Sequence, residues 1–264
     1  MKFFEFSTSG AFQWSINIYQ EDYGDIIAPM NDNIWIKDEV LPLKMRLIDS
    51  FENFEAWQGE TPFVDVLRWY MNLMTADVEP KRGANLLISK KVKEVLEKYN
   101  LPEHRFYPVI LHCKELKQIN EDYFLFHAVV DSATSGDDII DYPKCTFVEI
   151  TQDSEGNNVP VKVYPEGFIK SSEEKGDIQF GDIELLGTYE VTYGSQTFTE
   201  LNELKFKNKV YKYDYDVLWG LSGLLYISEE IKNELEAVGI TNGHFYEMPE
   251  NIIRSFEYKQ MKNS

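Results

Sequence analysis

Two stretches of the chain repeat one order of apolar and polar positions. Residues 85–109, "NLLISKKVKEVLEKYNLPEHRFYPV", and residues 223–248, "GLLYISEEIKNELEAVGITNGHFYEM", align without a gap when shifted by 139 positions. Eight of the 22 residues from Leu86 to Tyr107 then coincide: Leu86/Leu225, Ile88/Ile227, Ser89/Ser228, Lys93/Lys232, Leu96/Leu235, Glu97/Glu236, Phe106/Phe245 and Tyr107/Tyr246. Such self-similarity marks a structural unit used twice. Each copy predicts a short apolar strand ending in serine, then a helix. The helix stripe is Val92, Val95, Leu96 and Tyr99 in the first copy, and Ile231, Leu235 and Val238 in the second. Ser89 and Ser228 stand where an N-cap hydroxyl would accept from the free amides of the first turn. Glu229 and Glu230 suit the positive end of the helix dipole, whereas Lys90 and Lys91 do not. Asn100 or Gly239 stops each helix, and a strand is expected from Phe106 or Phe245. The length of the unit permits a parallel crossover between its two strands.

Elsewhere the period changes. "DYFLFHAVV", "KCTFVEITQ", "VPVKVYPE" and "ELKFKNKVYKYDY" alternate as strands do, separated by turn signals such as "DSEGNN". "FQWSINIYQ" near the N-terminus alternates in the same way. "TPFVDVLRWYMNLM" places Val64, Leu67, Tyr70 or Met71, and Met74 at helical spacing behind a proline, which predicts a helix beginning near Pro62. The expected fold is therefore α+β, with mixed and antiparallel sheets, two similar strand–helix–strand units at 84–112 and 223–250, and few helices. Residues 1–82 are set apart as an aromatic-rich region holding Trp14, Trp35, Trp57 and Trp69, ahead of an α+β domain over 83–264.

With 264 residues, 43% of them hydrophobic, the chain can bury a sizeable core. Its two cysteines, Cys113 and Cys145, form no metal-ligand or redox motif, so a reducing compartment fits. "MKFFEFSTSGAFQWS" lacks the apolar core of a signal peptide, and no run approaches the ~18 apolar residues of a membrane span, so the expected location is the cytoplasm. The net charge of −19 disfavours nucleic acid and anionic membranes as partners and favours cationic ones. That charge is concentrated. Residues 121–200 hold 17 acidic residues against four lysines, a net of −13, leaving −6 for the other 184. Much of it falls in "DSATSGDDIIDY" and "SSEEKGDIQFGDIE", which read as loops.

The residues that could do chemistry are scattered. His104 and His244 are out of register by one position between the copies, and His127 lies in an apolar strand as a hydrogen-bonded core or face residue would. His112 and Cys113 are neighbours, so on a strand they point to opposite faces. "WGLSG" is one residue short of a nucleophile elbow, and no phosphate-binding glycine loop or zinc helix occurs. Asp131, Asp137, Asp138 and Asp141 do not follow the calcium-loop spacing. The twin serines are explained as caps, and the Phe-Tyr pairs as strand residues packed on the preceding helix. No catalytic residue, cofactor or metal is expected.

The duplicated segment, the apolar strand of "YFLFHAVVDSATS" and the second helix near the C-terminus together resemble bacterial immunity proteins encoded beside polymorphic toxins, in the families numbered eleven and forty-three. The resemblance spans roughly residues 83–250. It implies an α+β protein, not an enzyme, that binds a cognate toxin domain and occludes it. Charge alone adds that such a partner would be cationic. It also nominates Asp137, Asp138, Asp141, Glu173, Glu174, Asp177, Asp182 and Glu184 as contacts. The competing expectation is a small-molecule-binding protein or enzyme with a pocket between the two repeat units.

Overall fold

The apolar run before each serine is a strand, and the stripe behind it is a helix. In the first copy these are β5, Gly83–Ser89, and α1, Lys90–Leu96; in the second, β14, Leu225–Ser228, and α3, Glu229–Ala237. The Ser89 hydroxyl accepts from the Val92 amide at 3.5 Å and the Ser228 hydroxyl from the Ile231 amide at 3.4 Å, as capping requires. The closing strands, β6 at His104–Cys113 and β15 at Gly243–Glu247, begin two residues before the phenylalanines that predict them. This computed structural model describes residues 2–8, 14–18, 35–49, 63–68, 83–113, 117–129, 139–181, 186–193, 196–219, 225–248 and 250–264. Over these the chain is α+β, with mixed and antiparallel sheets and four α-helices.

The chain divides into two compact units. The larger comprises Phe3–Ala133 and Tyr215–Glu247, the smaller Met1–Lys2, Thr134–Asp214 and Met248–Ser264. In the larger unit the remaining strands are β1 (Phe3–Thr8), β2 (Trp14–Ile18), β3 (Leu43–Asp49), β4 (Val66–Arg68), β7 (Gln118–Val129) and β13 (Val217–Trp219). One sheet has the order β2-β3-β6-β7-β5-β4, parallel only at β3–β6, and the other is antiparallel β13-β14-β1-β15. Residues 1–82 thus supply strands to sheets shared with later segments. The helix expected from Pro62 is corrected where the chain is described. Val66–Arg68 is a strand paired antiparallel to β5, since Val66 and Leu67 find partners in Ile88 and Leu87. The rest of that segment lies outside the described residues.

The strands of each repeat are parallel, but a third strand runs between them. β7 lies antiparallel to both β5 and β6, so that Leu86 and Phe106 both face Phe126. β1 lies antiparallel to both β14 and β15, so that Leu225 and Phe245 both face Phe6. The central strands correspond as well: Tyr123-Phe124-Leu125-Phe126 matches Phe3-Phe4-Glu5-Phe6. Ring contacts repeat accordingly. Phe106 stacks on Phe126 with centroids 5.0 Å apart, and Phe245 on Phe6 at 5.3 Å. The Lys93 ammonium sits 5.2 and 5.1 Å from the Phe106 and Phe124 rings, and that of Lys232 lies 5.6 and 5.1 Å from Phe245 and Phe4.

Period two sorts the six-stranded sheet into faces. Phe126, Ala128 and Ile88 join Val92, Val95 and Leu96 of α1, Ile231 and Leu235 of α3, and Phe6, Leu225 and Ile227 in one core. Tyr123, Leu125 and Leu87 belong to a second core with Trp35, Leu43, Met45, Tyr107 and Leu111. The apolar side chains of α1 and α3 thus fill the space between the two repeats. Val238, expected on the buried stripe, is 40% exposed, because α3 ends at Ala237.

Two aspartates reach from one copy to the other. Each precedes an edge strand, in Asp65-Val66-Leu67 and Asp216-Val217-Leu218, and its carbonyl accepts from the capping serine of its own copy, 2.8 Å from Ser89 N and 2.9 Å from Ser228 N. The Asp65 carboxylate then accepts from the Thr241 amide at 2.9 Å, beyond α3, and that of Asp216 from the Asn100 amide at 2.9 Å, beyond α1. Asp65 also accepts from the Ser89 hydroxyl at 2.6 Å, the Lys91 ammonium at 2.9 Å and the Thr241 hydroxyl at 3.0 Å. Burial works to raise its pKa, but these bonds outweigh it and hold the carboxyl below the ordinary range.

In the smaller unit β8 (Thr146–Gln152), β9 (Asn158–Tyr164), β12 (Glu203–Tyr211) and β16 (Asn251–Arg254) form a sheet in the order β16-β12-β8-β9, parallel only at β12–β16. A hairpin of β10 (Thr188–Tyr193) and β11 (Gln196–Leu201), the helix α2 (Ser172–Phe180) and the helix α4 (Ser255–Asn263) complete it. Tyr142, Phe147 and Phe206 pack ring against ring in its core. Buried Glu149 accepts from the Tyr164 hydroxyl at 2.9 Å and the Asn202 amide at 2.5 Å, and buried Lys209 pairs with Glu250.

Candidate acidic docking site

The acidic stretch "SSEEKGDIQFGDIE" is no loop from its second residue to its tenth: Ser172–Phe180 is α2. A capping signal starts it. The Ser171 hydroxyl accepts from the Glu174 amide at 3.0 Å, and the Glu174 carboxylate reaches back to the Lys170 amide at 2.6 Å. Acidic residues in this first turn also meet the positive end of the helix dipole. The inner face is polar but engaged. Buried Gln179 donates to the Asn202 carbonyl at 3.2 Å and accepts from the Leu204 amide at 2.5 Å, which fastens the helix to β12. Lys175 lies 5.9 Å from the centre of the Phe206 ring, and burial lowers its pKa.

Opposite these anchors stand Glu173, Asp177 and Phe180, all exposed, at spacings of four and three residues that put them on one stripe. Phe180 is 81% exposed. Gly176 lies on the same stripe, one helical turn from Glu173 and four residues before Phe180.

Of the eight acidic residues nominated from charge, α2 brings together Glu173, Glu174 and Asp177. Glu174 is spent on capping, so two carboxylates remain on the outward face. Asp141 is tied into a turn: its side chain pairs with Lys144, and its carbonyl accepts from the Lys144 amide at 2.9 Å and the Cys145 thiol at 3.3 Å. Asp137, Asp138, Asp182 and Glu184 lie outside the described residues, as does the "GLSG" part of "WGLSG". Sequence reading missed Phe180 and Gly176. The signal was present in the Ser171-x-x-Glu174 pattern, which starts a helix and carries Phe180 onto the exposed stripe.

The groups weighed for catalysis have structural surroundings. Burial pushes the Cys145 thiol up to about 12, and the thiol serves β12 by accepting from the Val210 amide at 3.2 Å. Burial, helped by the Arg105 guanidinium, pushes His127 down to about 4. This imidazole sits edge-on to Trp35 and is buried, so of the two places expected for it, core or face, it takes the core, with Nδ1 making no hydrogen bond. Among the described residues no three His, Cys, Asp or Glu side chains gather as a metal site, and no helix is long and apolar enough to cross a membrane. Compared with known proteins, the chain matches no family model and no curated protein.

Proposed function

We propose that this protein is a non-catalytic binding module acting in the cytoplasm, an immunity protein that neutralises a cationic toxin domain by docking against it. The observation that carries this reading is the outward face of α2, where Glu173, Asp177 and Phe180 are presented to solvent by a helix fixed from behind through Gln179. Unpaired exposed carboxylates steer a basic partner and raise its association rate, while a central aromatic supplies lasting affinity. The resemblance of the duplicated segment to polymorphic-toxin immunity proteins supports the same reading. So do the employments found for Ser89, Ser228 and Cys145, each in a cap or a ladder.

The test is co-expression with the toxin domain encoded beside this chain's own gene. Cells producing both are expected to grow, and cells producing the toxin alone to die. Death despite a folded, abundant partner would refute the reading.

A further inference from the structure

We infer that the stripe Glu173–Gly176–Asp177–Phe180 is a helix face built to lie against a basic protein surface, with Phe180 seated in an apolar notch and the partner's backbone passing close over Gly176. This inference rests on the immunity reading and specifies how its contact is made.

Three features of α2 lead to it. Phe180 is 81% exposed, although it belongs to a helix whose inner face is secured by other residues. An aromatic held out in water at the end of an ordered helix contributes little to folding and is the residue type that dominates binding when it enters a pocket. Gly176 is the second. Glycine inside a helix weakens it relative to alanine. Here no left-handed φ demands glycine, and a Cβ would meet nothing among the described residues within 4 Å. The fold therefore draws no benefit from the missing methyl, whereas a partner chain crossing the stripe would. The third is charge. Glu173 and Asp177 flank the glycine and make no ion pair with another described residue, and they would repel a second copy of a chain carrying −19. A cationic partner meets the same carboxylates favourably. The anchors follow the i, i+4, i+7 spacing by which a helix lies in a groove.

The experiment uses the full chain and the toxin domain encoded beside its gene, with kinetics followed by surface plasmon resonance and folding by thermal melts. Phe180→Ser is expected to leave the melting temperature unchanged and to speed dissociation at least about tenfold, with the association rate within about twofold. Gly176→Ala is expected to raise the melting temperature yet weaken binding, and Gly176→Gln to weaken it further. That opposition between stability and affinity is one that a purely structural glycine would not produce. Wild-type dissociation rates for both Phe180→Ser and Gly176→Gln, with binding intact, would overturn the inference and leave the immunity reading standing. Concentration-dependent self-association abolished by Phe180→Ser would assign the face to a second copy and overturn it too. If the wild-type chain does not bind the domain at all, the immunity reading falls first and this inference with it.

Discussion

His127 shows how one side chain sets the response of a fold to acid. It is 1% exposed, its pKa is held at about 4 against an ordinary 6.5, and its Nδ1 makes no hydrogen bond. The unfolded chain therefore binds a proton between those values that the folded chain does not. Stability is unaffected above pH 6.5 and falls as pH drops from 6.5 towards 4, by up to about 3 kcal/mol. Denaturant unfolding measured across that range is expected to show the slope, and His127→Leu to flatten it. The lowered pKa of Asp65 works in the same direction at lower pH. Its contribution is present above the unfolded value of 3.8 and is lost as pH falls through the folded one. A single orphan nitrogen is beyond what sequence can show. The apolar strand around His127 predicted burial, but the neighbours of its ring are Tyr107 of β6 and Trp35.

At the scale of elements, the repeat was legible because its residues serve local needs. Caps, helix stripes and turn stops depend on neighbours three or four positions away, and both copies keep them. What crosses between segments was not legible. The Asp-Val-Leu triplets at 65–67 and 216–218 look ordinary until β4 and β13 are seen pairing beside the two repeat strands. Likewise Val64 and Leu67 follow helical spacing, because a three-residue edge strand is too short to impose its own period. Helix α2 escaped notice for the opposite reason: fastened by glutamine and lysine, it has no apolar stripe to find. The core between the copies makes a sharp prediction. Leu235→Ala should cost about 2–5 kcal/mol in denaturant unfolding, and Val238→Ala, one turn on but outside the core, less than about 0.5 kcal/mol. Asp65→Ala strands the Ser89 hydroxyl and the Thr241 amide, and is expected to cost about 3–5 kcal/mol by the same measurement. Asp216→Ala should cost less.

For the molecule as a whole, the net charge of −19 is a kinetic property more than a stabilising one. Reversing Glu173 and Asp177 to lysine is expected to slow association with a basic toxin domain several-fold at low salt. The difference should shrink in high salt, while the melting temperature falls only slightly, through loss of the Glu173 charge at the positive end of the α2 dipole. Glu174→Lys should behave differently, lowering the melting temperature, because its carboxylate caps α2. A matching loss of stability in all three would place them in the scaffold. Charge counted along the chain could not separate carboxylates that cap a helix or close a turn from those left facing water.

The strand at Phe3–Thr8 has a consequence for how the protein is made. Its two neighbours, Leu225–Ser228 and Gly243–Glu247, emerge from the ribosome more than two hundred residues after it. The first repeat and its own central strand are complete by Val129, so that half can close during synthesis. Its twin has to wait, with Phe3, Phe4 and Phe6 held in the nascent chain as an unmatched hydrophobic strand while those further residues are made. Whatever guards that strand in the interval, a chaperone or the growing chain itself, decides the yield of folded protein.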